Sequence, residues 1–318
     1  MTSLALIEAA AARLEGHTRR TPLLEAPLLN RLAGRRVLVK AECLQVTGSF
    51  KARGGWSAVS SLPAGARGVL AMSSGNHAQG VAWAAAAHGL AAVIVMPSDA
   101  PAVKIANTRA YGAEVVTYDR LCDDRDALAA GLAADRGLVL IPPFDHAQVI
   151  AGQGTTGLEI AEQAAEAGVT RAAVLVPCGG GGLAAGIALA LEARAPGLRL
   201  QTVEPVGFDD MARSLASGQP QRNATAGGSV CDAILTPTPG KLTLPVLQRL
   251  AGPGLTVTDA QALQAVALAF THLRLVAEPG GAVALAAALA TPDLPDAVIC
   301  VVSGGNVDPS LFAQTLAA

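Results

Sequence analysis

The strongest constraint in this chain is a rhythm. Short apolar runs alternate with longer helical patterns, and several runs end in turns rich in glycine or small polar residues. "RVLVKAE" (36–42) reads as a strand, followed by a helix over 51–62 that starts at Lys51. Further strands are expected at 68–72, 91–96, 114–118, 138–141, 172–177 and 199–204. Helices are expected at 76–88, 100–111, 124–135, 150–166 and 181–194. Strands joined by helical crossovers lie parallel, because a helix returns the chain to the edge from which it left. The last third is less regular. Residues 218–245 are rich in Gly, Pro, Thr and Ser and read as a long loop. "TVTDAQALQAVALAFTHLRL" reads as a helix capped by Thr258, another helix opens just after Gly281, and "DAVICVVSGGN" ends the sheet with a buried strand. The expected class is α/β, a two-domain open twisted-sheet fold, for which 318 residues are ample.

Composition narrows the function. Hydrophobic residues make up 51% and charged residues 15%, and 23 Lys plus Arg against 25 Asp plus Glu leave a formal charge of −2. A chain of this balance has neither a basic surface for nucleic acid nor the polarity of a disordered one. Its mean hydropathy of +0.42 raises the question of a membrane. However, Gly, Pro or charge interrupts every apolar stretch before it could span a bilayer. "MTSLALIEAAAARLEGHTRR" carries charge within its apolar segment and reads as an amphipathic helix rather than a secretory leader, so a cytoplasmic protein is expected. Cys43, Cys122, Cys178, Cys231 and Cys300 show no CxxC or zinc spacing and are expected to be free, mostly buried thiols.

In open α/β sheets ligands gather at the carboxyl ends of strands, so the turns there are the places to search. "VPCGGGGLAAG" (176–186) sets four glycines, Gly179, Gly180, Gly181 and Gly182, between a strand and an apolar helix. Consecutive N–H groups and a helix N-terminus suit a phosphate, although a structural turn would use the same residues, and the pattern is neither GxGxxG nor a P-loop. "MSSGNHAQGVA" (72–82) presents Ser73, Ser74, Asn76 and His77 at a strand–helix junction, donors suited to a carboxylate. Helix capping would explain one of them less demandingly, and His77 reads equally as a base or as a packed, hydrogen-bonded side chain. "ECLQVTGSFKARGG" (42–55) puts Lys51 at a helix start, where an ammonium opposes the helix dipole. A Schiff base with pyridoxal phosphate would remove that conflict and would join a phosphate nest to an amino-acid carboxylate site. Ser303 in "VVSGGNVD" follows the last strand, and its hydroxyl could meet a neutral pyridine nitrogen or belong to an ordinary turn.

Taken in order, "TPLLEAPLLN" (21–30), "KAECLQVTGSFKARGG" (40–55), "SSGNHAQGVAWAA" (73–85), "PPFDHAQVIAGQGTTGLEI" (142–160), "PCGGGGLAAG" (177–186) and "VVSGGN" (301–306) resemble a known family over nearly the whole chain. It is the pyridoxal-phosphate enzymes of the tryptophan-synthase β fold type (fold type II), and within them the serine/threonine dehydratases and serine racemases. The resemblance implies that Lys51 carries pyridoxal 5'-phosphate, that Phe50 packs beside its ring and that Asn76 meets its phenolic oxygen. It implies that Gly179 to Gly182 cradle the phosphate and that Ser303 contacts the pyridine nitrogen. The 73–77 loop would bind the substrate carboxylate, and Ser74 matches the hydroxyl that acts opposite the lysine in the racemases. Glu204, the Phe208 carbonyl and Asp210 in "EPVGFDDM" fall where these enzymes bind Mg²⁺ or another divalent ion.

The activity so implied is dehydration and deamination of a β-hydroxy amino acid, threonine or serine, to an α-keto acid and ammonia. Serine racemisation and dehydration of 3-hydroxyaspartate or another β-hydroxy amino acid are the alternatives. A second substrate carboxylate would need a basic partner, for which the sequence offers Arg53 and Arg109. The segment 227–245 departs from the "ADG" form of many relatives, implying a role at the entrance or at a subunit contact. The implied layout is a small domain over 64–142, a large one combining 1–63 with 143–318, the cofactor in the cleft between them, and a homodimer.

Overall fold

The computed structural model describes residues 2–100, 102–119, 121–225 and 227–317, and of Val103 the backbone alone. Ten strands are described: β1 (Leu23–Glu25), β2 (Arg36–Ala41), β3 (Gly68–Met72), β4 (Ala91–Pro97), β5 (Glu114–Tyr118), β6 (Val139–Leu140), β7 (Ala172–Pro177), β8 (Leu198–Pro205), β9 (Leu255–Val257) and β10 (Ala297–Val302). They form two sheets, a six-stranded one in the order β1-β2-β10-β7-β8-β9 and a four-stranded one in the order β5-β4-β3-β6. Every described pairing is parallel except β1 with β2. The expected α/β class with open parallel sheets is what the chain adopts.

The six-stranded sheet explains why its strands read as unbroken apolar runs. Val298, Cys300 and Val302 of β10 join the core on one face, with the helix Pro279–Ala290. Ile299 and Val301 join the core on the other, with the helix Gly182–Arg194. A strand covered on both faces needs apolar side chains at successive positions. β10 lies between β2 and β7, so the end of the chain threads the middle of the sheet. The carboxyl ends of β2, β10 and β7 are thereby neighbours, and the segments after Ala41, Val302 and Pro177 emerge side by side.

Local signals account for most of the helices. Thr258 caps Asp259–Leu268 through a capping box, its Oγ1 accepting from Gln261 N at 3.3 Å while Gln261 Oε1 accepts from Thr258 N at 2.8 Å. The helix expected just after Gly281 opens earlier, at Pro279, because proline's fixed φ and missing N–H suit a first turn. The helix expected over 100–111 is described as Ala102–Ala110, with Pro101 outside the described residues. The loop expected over 218–245 ends with a short helix, Leu244–Leu250. The antiparallel edge strand β1, the strand β9 and the helix Pro27–Ala33 are too short to show a period, and the helices Asp210–Ser217 and Pro309–Ala317 were also not expected from the sequence. The five cysteines are free, with Cys122 exposed and the other four buried. Among the described residues, no helix is long and apolar enough to cross a membrane.

A buried charge network fixes the helix Lys51–Ser60 to the six-stranded sheet. Arg53 is fully buried, donating from Nε and Nη2 to Glu42 at 2.8 Å each, and from Nη1 and Nη2 to Glu159 at 2.6 and 2.9 Å. Lys40, also buried, donates to Glu159 at 2.5 Å, to Gln163 at 2.8 Å and to the Thr21 carbonyl at 2.7 Å. Burial by itself would raise the Glu42 carboxyl, but the guanidinium beside it prevails and holds it below the usual carboxylate range. Removing one member leaves buried charge without a partner, which costs far more than the pair is worth against an apolar replacement. Arg53→Met should therefore destabilise the protein by about 3–5 kcal/mol, read from the shift in its urea-unfolding midpoint. A shift equivalent to under about 1 kcal/mol, the scale of an exposed ion pair, would contradict the network's role.

Candidate active site

The site begins at a seam. Phe50 N donates to Ser303 O at 3.0 Å, Gly305 N donates to Gly48 O at 2.9 Å, and Ser49 bridges Gly304. Asn306 Nδ2 adds a bond to Thr47 O at 2.9 Å. The chain turns sharply here, for Thr47 holds a left-handed φ of 65°. These bonds hold Lys51, first residue of its helix, against the end of β10. Lys51 Nζ donates to Pro143 O at 2.7 Å and lies 5.2 Å from the centroid of the Phe50 ring. Burial pushes the ammonium down to about 8, against the opposing pull of the Glu278 carboxylate.

Beside it, β3 ends at Met72 and the helix Asn76–Ala87 begins. Two glycines allow this helix to lie directly on that of Lys51. A Cβ at Gly55 would meet Gly80 O at 2.6 Å, and one at Gly80 would meet Lys51 O at 2.8 Å. The contact brings Ser73, Ser74, Asn76 and His77 to the wall of the cavity that Lys51 enters. Ser73 Oγ accepts from Gly75 N at 3.2 Å. His77 is buried, with Nε2 2.8 Å from Ile141 O. That carbonyl fixes the proton on Nε2 and leaves Nδ1 as a buried acceptor that meets no protein donor. Burial, then the nearby Lys51 charge, push His77 down to about 3, so the ring is neutral at ordinary pH.

The third wall is the tetraglycine turn after β7. Gly181 adopts a φ of +90° and precedes the helix Gly182–Arg194, which has no side-chain cap at its N-terminus. Side chains there would collide with the Phe144 ring at Gly180 and with Met211 and Thr243 at Gly181. Thr243 Oγ1 donates to Gly180 O at 2.6 Å and pins the turn from behind. The first N–H groups of the helix are therefore left for a ligand, the arrangement that suits an anion such as a phosphate.

Phe50, Lys51, the 73–77 loop, Gly179 to Gly182 and Ser303 thus line one cavity of about 190 Å³. An uncapped glycine cradle, a lysine of depressed pKa and a serine at the end of β10 fit pyridoxal phosphate in its phosphate, aldehyde and ring-nitrogen parts. Two other lining residues, Glu278 and Lys104, escaped sequence reasoning, while Asn306, Asp232 and Phe144 lie in segments it quoted without being assigned a role. Glu278, at the N-cap of Pro279–Ala290, is buried and accepts from Asn76 Nδ2 at 2.6 Å, while Asn306 Nδ2 donates to Asn76 Oδ1 at 2.7 Å. Burial pushes its carboxyl up to about 7. Its one sequence signal was a lone acid ahead of an Ala-rich helix in "VAEPGGAVALAAALA". Asp232 and Thr236 place part of the 227–245 segment on the cavity wall, one of the two places the sequence suggested for it.

Glu204, Phe208 and Asp210 lie outside this cavity. Glu204 takes Met211 N at 2.9 Å and Ala212 N at 2.7 Å, and Asp210 Oδ1 takes Asn223 Nδ2 at 2.6 Å, while Asp210 Oδ2 is buried with no protein partner. Among the described residues, no group of three or more His, Cys, Asp or Glu side chains could hold a metal ion. Neither Arg53, held in its buried network, nor the exposed Arg109 lines the active-site cavity.

The family model described as "Pyridoxal-phosphate dependent enzyme" matches residues 14–305. A relative from Pseudomonas sp named L-threo-3-hydroxyaspartate ammonia-lyase is 41% identical over 96% of each chain. The serine racemase of Arabidopsis thaliana is 38% identical over 95% of this chain and 92% of its own. Among solved structures, the threonine deaminase of T.th. superposes with a TM-score of 0.92 at 46% identity, covering 96% of this chain and 99% of that one. The glycine cradle, the buried lysine and these likenesses agree, and the chain belongs to the pyridoxal-phosphate-dependent enzymes of the tryptophan-synthase β-like fold type, alongside the threonine and serine dehydratases and serine racemases.

Proposed function

We propose that the protein is an ammonia-lyase that converts a β-hydroxy amino acid into an α-keto acid and ammonia. The observation that carries this reading is the shared cavity of Lys51, the tetraglycine turn and the 73–77 loop. Pyridoxal phosphate, when bound, supplies an electron sink for the charge left at a substrate Cα. Lys51 Nζ would hold the cofactor through its aldehyde, Gly179 to Gly182 its phosphate, Asn76 its phenolic oxygen and Ser303 its pyridine nitrogen, with Phe50 against the ring.

This chain's own residues orient the substrate and move its protons. Donors of the Ser73–His77 segment, Ser74 and Asn76 among them, would hold the carboxylate at the start of a helix, where negative charge is favoured. Lys51 Nζ, released when substrate binds, would take the Cα proton; its depressed pKa means the deprotonated form is accessible near neutral pH. His77, pushed down to about 3 by burial and then by the Lys51 charge, is too weak a base to share that work, but its Nδ1 can accept a bond from substrate. The water lost on eliminating the hydroxyl is regained in the hydrolysis that frees ammonia.

Racemisation is the second reading, favoured by Ser74 on the wall of the cavity that Lys51 enters. A proton returned from Ser74 would invert Cα. We place a divalent cation such as Mg²⁺ beside Glu204 and Asp210 on their kinship with the metal-binding positions of the family. Two carboxylates, one with a buried oxygen lacking a partner, are hard donors, and the Phe208 carbonyl would add a third. The role we assign to that ion is structural. The four-stranded sheet lies within 68–140 and supports a small domain over 64–142 set against a large one of 1–63 and 143–318. Kinship supports a homodimer, and five free thiols accord with a cytoplasmic setting.

Holoenzyme supplied with L-serine, L-threonine and L-threo-3-hydroxyaspartate should release keto acid and ammonia in equal amounts from at least one of them. Lys51→Ala should lower that rate by about 10²–10⁴-fold or more; substrate turned over only to its enantiomer would favour racemisation instead. Lys51 must be deprotonated to attack an aldehyde. Covalent loading of cofactor-free protein should therefore accelerate with rising pH through a midpoint near 8, followed by absorbance. A midpoint near 10, the range of an exposed lysine, would contradict the burial argument.

A further inference from the structure

One cation on the cavity wall has no part in the chemistry above. Lys104, in the helix Ala102–Ala110, donates from Nζ to Asp232 Oδ2 at 2.8 Å. Asp232 opens the short turn Asp232–Ile234 within the long segment after residue 218. The pair therefore spans from an element beside the four-stranded sheet to one beside the six-stranded sheet, and both side chains line the cavity that holds Lys51 and the 73–77 loop. Among the described residues, Lys51 and Lys104 are the only Lys or Arg side chains that do so. With Lys51 committed to the cofactor and His77 neutral, Lys104 is the remaining basic side chain among the described residues that line the cavity.

The two partners are unequally exposed. The Lys104 side chain is 24% exposed and that of Asp232 62%. An ion pair with one end in water is weak, so Asp232 can return to solvent at small cost. An ammonium at a cavity wall gains more from an anion brought into the cavity, where water is scarce and charge-assisted bonds strengthen. At the inner wall, burial pushes Glu278 up and the Asn76 bond draws it back down, while the Asp232 and Lys104 charges act on it in opposite directions, Asp232 raising it and Lys104 lowering it.

We propose that Lys104 selects the substrate's side chain, its ammonium taking the distal carboxylate of a β-hydroxy amino acid that carries two carboxylates, the 3-hydroxyaspartate class, in exchange for Asp232. This rests on the ammonia-lyase reading and deepens it. The first carboxylate is held at the 73–77 loop and the second at Lys104, which fixes the Cα–Cβ bond between them. Serine and threonine bring no second anion and leave the Lys104–Asp232 pair closed.

The test uses holoenzyme and the variants Lys104→Met, Lys104→Arg and Asp232→Asn. For each, kcat/KM is measured on L-threo-3-hydroxyaspartate and on L-serine. Calorimetric Kd values are measured for L-aspartate and L-alanine, which lack a hydroxyl to eliminate. In Lys104→Met the ratio of kcat/KM for 3-hydroxyaspartate to that for serine should fall by about 30-fold or more, chiefly through KM. Aspartate should weaken relative to alanine to a similar degree, and Lys104→Arg should recover most of both preferences. Asp232→Asn breaks the same ion pair but keeps the cation, so it should maintain or raise both ratios. Equal losses on one- and two-carboxylate ligands in Lys104→Met would overturn the proposal. So would matching behaviour of Lys104→Met and Asp232→Asn, the mark of a latch rather than a carboxylate contact. Wild-type enzyme that releases ammonia from neither amino acid would defeat the lyase reading, while the aspartate-to-alanine ratio would still decide the role of Lys104.

Discussion

Residues 48–50 are sewn to residues 303–305 by backbone hydrogen bonds, and the candidate site depends on that seam. It joins segments some 250 positions apart, and it exists because β10 enters the sheet between β2 and β7. Parallel neighbours end at the same edge, so the segments leaving β2, β7 and β10 must converge there. Lys51 is delivered by the first, the glycine cradle by the second and Ser303 by the third. The Arg53 network anchors the same helix two residues on, so the reactive amine stands on a buried, charge-paired base rather than on a loop.

Electrostatics then separate the roles of groups that share the cavity. Burial makes Lys51 easier to deprotonate and Glu278 easier to protonate, moving them to about 8 and about 7 from opposite directions. His77 is driven the other way from usefulness as a base, since both burial and the lysine oppose a second positive charge. A neutral His77 also leaves Lys51 and Lys104 as the basic side chains on the cavity wall among the described residues, which is what gives the Lys104–Asp232 pair its proposed leverage over substrate choice.

Much of this was legible in the sequence, and the reasons differ by element. The buried strands showed themselves because two-sided burial demands continuous apolar runs, and the tetraglycine turn because no other residue survives against Phe144 and at a φ of +90°. β1 and β9, three residues each, carry no periodicity and are defined by their neighbours alone. Glu278 and Lys104 look like ordinary charged residues in their local sequences; only the fold turns them toward the cavity. Arg53 misled for the converse reason. It was one of two arginines the sequence offered to a second substrate carboxylate, but its helix faces it into Glu42 and Glu159.

The central claim is that the Lys51 amine, buried at the seam, holds the cofactor covalently while the tetraglycine turn holds its phosphate. Borohydride reduction of active, fully loaded enzyme, followed by peptide mass mapping, tests it most directly. The account predicts a single reduced phosphopyridoxyl adduct on Lys51. Fully loaded, active enzyme whose Lys51 peptide remains unmodified, or whose adduct maps to Lys104 instead, would contradict it.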